Sequence, residues 1–267
     1  LRMQHTYVVG ASGTGKSTLL LRMILQDIEN GDGVGVLDPH GDLIEEILAR
    51  IPENRFSDVA VLDPSDEEYP VGLNVLEAHS EVEKNLLSSD LVAIFRRFAT
   101  SWGDQMTSIL GNAILAFLES HTGGSLLDLR KFLVDESFRR AFLSSVRDPE
   151  VAYYFEREYP LLKGNPSASI LTRLDAFLRP KLIRLMVGQR RGTLDLRSLM
   201  DGRRVLLAKL SQGIIGHENA HLLGALLVSK FHQAALSRQQ LAESERSDFH
   251  LYIDEFQNFA TPSVASL

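Results

Sequence analysis

The feature that most constrains this chain is a glycine-rich segment over residues 10–18, which reads Gly-Ala-Ser-Gly-Thr-Gly-Lys-Ser-Thr. It matches the phosphate-binding pattern G-x-x-x-x-G-K-[ST], known as Walker A, in full. Glycines at this spacing let the backbone curl so that successive N–H groups point at one anion, and a helix that starts there adds the positive end of its dipole. The pattern therefore predicts a strand–loop–helix unit that binds the phosphates of a nucleoside triphosphate.

The same pattern assigns roles to individual side chains. Lys16 is expected to reach the β- and γ-phosphates as a point charge, and the Ser17 hydroxyl is expected to ligate Mg²⁺. The other residues expected to cradle the phosphates are Ser12, Gly13, Thr14, Gly15 and Thr18. A glycine-rich turn that matches by chance is disfavoured, because a β-rich run precedes the segment and a helical pattern follows it.

Composition limits the class of protein. The 267 residues are enough for a full core, and 44% hydrophobic and 24% charged residues are typical of a soluble globular protein. No apolar run is long enough to cross a bilayer. A cytoplasmic location is expected, which the absence of cysteine fits. Zero cysteines exclude disulfides and thiolate metal sites. A net charge of −7 argues against a broad basic face, although arginine pairs such as Arg96-Arg97 are compatible with a narrow basic channel for nucleic acid.

Short apolar runs alternate with helical patterns in the first third of the chain. Strands are predicted at Tyr7–Val9, Val34–Leu37 and Val59–Leu62, and helices at Lys16–Glu29 and Leu43–Arg50. Because no hairpin turn separates the strands, they are expected to pair in parallel through right-handed crossovers. The fold class predicted is α/β with a mostly parallel central sheet.

The middle of the chain lacks strand signals and follows helical periodicity instead. Six helices are predicted there: Leu86–Ala99, Thr107–Ser120, Ser125–Phe132, Glu136–Ser145, Val151–Tyr159 and Ala168–Val187. Strands return at Arg203–Leu210 and Phe249–Ile253, on either side of a helix at Asn219–Leu236. The predicted organisation, by residue number, is a core in two parts, 1–80 and 188–267, with an all-α insertion over 81–187.

An acidic pair directly follows the last predicted strand. In the Walker B arrangement, Asp254 at the strand end holds the Mg²⁺ shell through water, and Glu255 polarises the attacking water. Both can face the site because the chain is already turning at the end of a strand. An ordinary turn is the alternative interpretation of this pair. A P-loop kinase is disfavoured, since the Asp-Glu pair and the long helical insert suit a motor ATPase better.

Four stretches carry a further signal: residues 10–18, Val36–Leu43, Asp201–Ser211 and Leu251–Thr261. Together they resemble the HerA–FtsK superfamily of hexameric DNA-pumping ATPases. Within it the strongest likeness is to the type IV secretion coupling proteins, the conjugative VirD4/TraD/TraG branch. The phrase Asp-Glu-Phe-Gln-Asn-Phe is quite specific to that branch, and its members also carry an all-α domain between the two Walker motifs.

The resemblance implies a RecA-like P-loop core, ATP with Mg²⁺, and a ring of six subunits around a channel that carries DNA. It also implies accessory residues. Asp38 and Asp42 match an acidic turn near the nucleotide, although a plain capped turn with Asp42 as the N-cap of the next helix explains them equally well. Gln257 matches a polar position that senses γ-phosphate, and a loop amide that bonds its own backbone is the alternative.

The function expected is that of an ATPase motor domain of a DNA translocase or coupling protein, at the inner face of the membrane in the full-length protein. Relatives place their trans-acting arginine beyond the position of Leu267, so this chain alone is expected to hydrolyse ATP weakly. An alternative is a nucleotide-dependent adaptor whose all-α domain recruits protein partners to a secretion or repair complex without motor activity.

One further motif matches a known metal-binding pattern. His217-Glu218-Asn-Ala-His221 matches the zinc-protease pattern H-E-x-x-H, in which two histidines on one helix face grip Zn²⁺. The match is expected to straddle a helix start, and no third ligand follows at the usual short spacing. Incidental surface histidines are therefore expected rather than a metal site.

Overall fold

The computed structural model describes residues 5–78, 80–99 and 101–259, apart from the side chain of Val82. The described strands are β1 Gly33–Asp38, β2 Val59–Leu62, β3 Val205–Lys209 and β4 Phe249–Ile253. The helices are α1 Lys16–Glu29, α2 Asp42–Leu48, α3 Glu81–Arg97, α4 Asp104–Glu119, α5 Leu126–Val134, α6 Glu136–Leu143, α7 Pro149–Tyr153, α8 Ala168–Leu178, α9 Lys181–Val187, α10 Leu196–Asp201, α11 Gln212–Ile215 and α12 His217–Ser237.

The strands form one parallel sheet in the order β2-β3-β1-β4. Strand β1 lies inside the sheet, with Val34 opposite Val205 of β3 and Leu37 opposite Ile253 of β4. All four strands consequently end at the same edge, where an α/β sheet offers a binding crevice. The predicted α/β class with a parallel sheet is confirmed.

Each face of the sheet is covered by helices, and the alternation of side chains along the strands explains how. Val34 and Val36 of β1 point to one face, where they pack with Ile24 of α1 and Ile44 of α2. Leu37 belongs to the larger cluster on the other face, which also contains α12. A strand buried on both faces reads as a continuous apolar run, which is why β1 is apolar throughout before Asp38.

The larger hydrophobic cluster continues from the sheet into helices α3–α10, which lie between β2 and β3 in the chain. Helix α12 packs along α3, and Ser229 of α12 donates a hydrogen bond of 2.8 Å to the buried Asp90 of α3. The helical segment therefore shares its core with the α/β part. The boundaries after residues 80 and 187 stay a prediction.

The predicted helices are present, with informative differences at their ends. The helix predicted over Ala168–Val187 divides into α8 and α9 at Pro180, which lacks an N–H group and has an extended backbone with ψ 131°. Helix α7 ends at Tyr153 and continues as a π-turn over Tyr154–Glu158. Helices α10 and α11 were not predicted, because six and four residues are too short to establish a period. Among the described residues, no helix combines the length and the apolar character needed to span a bilayer.

The strand predicted at Tyr7–Val9 is wrong. Residues 5–10 form no strand, and the side chains of Tyr7 and Val9 are 71% and 77% exposed. β-propensity reflects the fit of a side chain to a pleated, half-covered surface, and in this structure the segment pairs with no described strand. Tyr7 instead contacts Phe256, with 6.2 Å between their ring centroids.

Phe259, a few residues after β4, anchors that part of the chain to α12. Its side chain is fully buried over Gly224, where a methyl group would come within 2.3 Å of two ring carbons. We expect Gly224→Ala to lower the free energy of unfolding by about 1–3 kcal/mol, because the overpacking outweighs the gain in helix propensity. Urea denaturation measures this difference.

Gly111→Ala is the matched control for that substitution. Gly111 also lies inside a helix, but the nearest atoms to an added methyl group are 3.9 Å away. This variant should be more stable than the parent by up to about 1 kcal/mol. Equal effects of the two substitutions would contradict the tight packing of Phe259 on Gly224.

Candidate functional site

The glycine-rich loop over residues 10–18, the predicted phosphate-binding loop, lies at the edge of the sheet where the strands end. Helix α1 packs against β1 and β4, and a short turn joins the end of α1 to the start of β1. The helix therefore runs opposite to the strands. Its 14 residues span about 21 Å, close to the length of the six-residue strand β1. The start of α1 consequently lies near the ends of β1 and β4, where Asp38 and Asp254 are found.

The loop itself is already curled. Gly13 and Gly15 have φ angles of 78° and 88°, in the left-handed region that glycine adopts without strain. Thr14 Oγ1 donates to the carbonyl of Ala11 at 2.8 Å. Lys16 Nζ donates to the carbonyls of Gly10 and Ala11 at 2.9 and 3.0 Å, so the ammonium group is held inside the curl. Ser12, Ser17 and Thr18 are exposed at the mouth of the loop.

Asp38 ends β1 as a buried carboxylate, 1% exposed. Its Oδ1 accepts from the backbone N–H of His40 at 2.8 Å, and its Oδ2 accepts from those of Leu43 and Ile44 at 2.9 and 3.3 Å. Asp38 thus caps α2, in the manner of a helix N-cap. Asp42 is the exposed first residue of α2 and Gly41 occupies the N-cap position, so the expectation of Asp42 as N-cap is wrong.

Asp254 continues the pairing of β4 with β1, because its N–H donates to the carbonyl of Leu37 at 3.0 Å. Burial raises the pKa of its carboxyl group, and the charges of Asp38 and Glu255 raise it further. The two carboxylates at the ends of β1 and β4 are therefore close enough to interact. Such a pair of acids at a strand edge favours a bound cation.

Glu255 has a φ angle of 51°, a left-handed conformation that is uncommon for a residue other than glycine. Gln257 Nε2 donates a hydrogen bond to Glu255 Oε2, so the expectation that this amide bonds its own backbone is wrong. The carbonyl of Gln257 accepts from Arg97 at the end of α3, at 3.1 Å. Backbone strain of this kind concentrates at functional sites.

The end of β3 contributes residues to which the sequence analysis gave no role. Lys209 Nζ lies 2.8 Å from Glu45 of α2 and 3.7 Å from Asp63 at the end of β2. Gln212 Nε2 lies 2.9 Å from Nδ1 of His40. Lys209 belongs to Asp201–Ser211, one of the stretches that resemble the coupling proteins, so the sequence could have indicated a role for it. Only the fold shows that this strand end lies beside Asp38.

The H-E-x-x-H segment forms the first turns of α12. His217 and Glu218 are exposed, whereas His221 is 9% exposed, so the expectation of surface histidines is wrong for His221. Burial lowers the pKa of His221, and the positive charges of His217 and Arg97 lower it further. The positive guanidinium group of Arg97 near His221 repels a metal cation, so this geometry does not favour zinc binding.

Three solved structures of a conjugative coupling protein are similar to this fold. The unbound monoclinic form of the bacterial conjugative coupling protein TrwBdeltaN70 superposes with a TM-score of 0.62 and 19% identity, over 96% of this chain and 57% of that chain. The plasmid coupling protein TrwB in complex with the non-hydrolysable GTP analogue GDPNP gives 0.58 and 19%, over 96% and 58%. A trigonal form of TrwBdeltaN70 with sulphate gives 0.58 and 20%, over 95% and 56%.

No protein-family model and no curated protein matches the sequence. The structural likeness therefore shows the fold, which is the RecA-like P-loop fold of the TrwB coupling protein. This agrees with the fold implied by the resemblance to the VirD4/TraD/TraG branch. The chain spans less than three fifths of the length of these TrwB chains.

The raised pKa of Asp254 has a consequence for stability. A carboxyl group with a raised folded-state pKa costs stability when it is ionised, and the cost disappears as the pH falls through that pKa toward the ordinary value of 3.8. We therefore expect Asp254→Asn to raise the free energy of unfolding at pH 7, with a gain that vanishes below about pH 4. Urea denaturation at both pH values in the absence of nucleotide and divalent metal tests this.

Asp63→Asn provides the contrast, since Asp63 also follows a strand. Asp63 accepts hydrogen bonds from the N–H and hydroxyl of Ser65 and lies 3.7 Å from Lys209, so Asp63→Asn removes the attraction to the lysine and weakens the hydrogen bonds. This variant should lose stability at pH 7. A loss of stability in Asp254→Asn as well would contradict the electrostatic description of the site.

Proposed function

We propose that this chain is the ATP-binding motor domain of a ring-forming, ATP-dependent DNA translocase of the conjugative coupling type. The observation that best supports the proposal is that α1, which begins at the glycine-rich loop, packs against β1 and β4, and that Asp38 ends β1 while Asp254 directly follows β4. The TrwB-like fold supports it, and one of the matched TrwB structures holds a GTP analogue. The nucleotide bound by this chain is proposed to be ATP.

The phosphates of ATP bind in the curl of the loop. Backbone N–H groups of Ser12–Thr18 and the start of α1 bind the α- and β-phosphates. The ammonium group of Lys16 now donates to two loop carbonyls, and it turns to the β- and γ-phosphates when the nucleotide arrives. Gly13 and Gly15 already have the left-handed backbone that the phosphate-bound loop requires, so the loop loses little conformational entropy when the nucleotide binds.

The residues at the mouth of the loop suit Mg²⁺. Mg²⁺ prefers hard oxygen ligands, which the Ser17 hydroxyl and, through water, the Asp254 carboxylate provide. The raised pKa of Asp254 indicates a negatively charged site that a cation would stabilise. When bound, the ion would neutralise charge on the β- and γ-phosphates.

Glu255 is proposed as the base that orients and polarises the attacking water. Its carboxylate is held by the amide of Gln257, whose own carbonyl is bonded by Arg97 of α3. Phe259, two residues further, packs on α12. A movement of Glu255 on hydrolysis would therefore be transmitted through these contacts to α3 and α12. Asp38 serves as a positioning residue that fixes the turn facing Asp254, and Asp42 makes no such contact.

Hydrolysis at subunit borders of a ring, proposed to be a hexamer, then moves the loops that hold DNA. Because the chain carries a net charge of −7, the DNA contacts must come from a few arginines or lysines in a channel. Such contacts bind phosphates without regard to sequence and weaken as salt rises. The helical segment 81–187 is proposed to offer a surface to protein partners.

The decisive variant is Glu255→Gln in the full-length protein. Removing the base while keeping the shape should lower the DNA-stimulated rate of ATP hydrolysis by about 10²–10⁴-fold and leave nucleotide affinity within about twofold. Hydrolysis is followed by phosphate release and affinity by titration of a fluorescent nucleotide. Lys16→Ala is the control, since it should abolish nucleotide binding itself.

A rate unaffected by Glu255→Gln would refute the assigned base. A full-length protein that binds ATP but hydrolyses it no faster with DNA present would instead favour the adaptor, whose helical segment recruits partners without a motor. Transport assays separate the same two functions, because only a motor loses transport while nucleotide binding is retained.

A further inference from the structure

Three metal-ligating side chains meet at the edge of the sheet opposite to the phosphate-binding loop. They are Asp27 in the last turn of α1, Asp32 in the turn before β1, and His250, the second residue of β4. One ligand atom from each lies within 4.8 Å of the other two. We propose that these three residues bind a first-row divalent cation of the Zn²⁺ class, at a site separate from the nucleotide.

The distances suit an ion better than a direct contact. His250 Nε2 lies 3.8 Å from Asp32 Oδ2, which is too far for a hydrogen bond. Two atoms that each bind one zinc ion at about 2.1 Å lie up to about 4.2 Å apart, so an ion fits between them. Asp27 completes the group from the helix side and is 1% exposed, which removes its carboxylate from competing water.

The donor set indicates the class of ion. An imidazole nitrogen with two carboxylates suits Zn²⁺, Co²⁺ or Mn²⁺, whereas Mg²⁺ and Ca²⁺ prefer oxygen alone. Three protein ligands leave room for water to complete the coordination shell. The Mg²⁺ that accompanies ATP would therefore not compete well for this group.

A fourth residue orients one of the ligands. The hydroxyl of Tyr252 donates a hydrogen bond to Oδ2 of Asp27. Tyr252 follows His250 by two residues on β4, so both side chains project from the face of the sheet that α1 covers. Such outer partners fix ligand orientation in known metal sites.

The bound ion would tie the end of α1 to the start of β4. Lys16 and Ser17 lie at the opposite end of α1, and Asp254 directly follows β4. An ion at this edge would thus fix the position of α1 relative to β4, and with it the position of Walker A relative to Walker B. The proposal rests on the three ligands alone and holds whichever nucleotide function the chain has.

The test is calorimetric titration of Zn²⁺ into tag-free protein that has been stripped with EDTA, without nucleotide. We expect one Zn²⁺ ion per chain, a raised melting temperature, and no displacement of the bound Zn²⁺ by excess Mg²⁺. Co²⁺ should bind in place of Zn²⁺ and give a visible absorption spectrum. His250→Gln and Asp32→Asn should each weaken Zn²⁺ binding at least tenfold, and Tyr252→Phe should weaken it less.

His217→Gln is the matched control, because His217 is an exposed histidine of the H-E-x-x-H segment and lies outside this group. It should leave the Zn²⁺ affinity unchanged. Circular dichroism of the metal-stripped variants establishes that they are folded. The side chain of Asp32 is more exposed than that of His250, so Asp32→Asn should disturb the fold less than His250→Gln. The proposal is overturned by the absence of stoichiometric binding, by full binding in folded Asp32→Asn, or by loss of binding in His217→Gln.

Discussion

The carboxylate of Asp38 is the interaction on which the site depends. It accepts three backbone hydrogen bonds from the turn and first helical residues that follow β1, and the carbonyl of the same residue accepts from Leu210 after β3. One residue therefore fixes the ends of β1 and β3 and the start of α2. Its negative charge also reaches Asp254 on the other side of β1. The structure stabilises a buried acid beside a second acid, which is costly without a cation nearby.

Much of this arrangement could be predicted from the sequence, because its signals are local. The bounds of α1, β2 and β4 were predicted to the residue, since each is a clear periodic run bounded by a glycine, a proline or an acidic pair. The loop conformation follows from its glycines. Asp38 could only be given two alternatives, because its capping bonds depend on a turn that the sequence leaves open.

What could not be predicted depends on contacts between distant parts of the chain. Propensity alone places Tyr7–Val9 in a strand, but a strand needs a neighbour, and the sequence does not say which edge is available. Likewise, nothing local indicates that Phe259 packs on Gly224 or that Arg97 reaches Gln257. These contacts join the loop after β4 to the helical segment, and they are the ones that a coupled motion would use.

The left-handed backbone of Glu255 has an evolutionary implication. Glycine would adopt this conformation without strain, so the fold alone would favour glycine at a position where the proposed chemistry requires a carboxylate. Selection for thermal tolerance, carried out without an activity screen, would therefore favour replacement of this side chain by glycine. Retention of an acid here among relatives would be a record of catalysis rather than of folding.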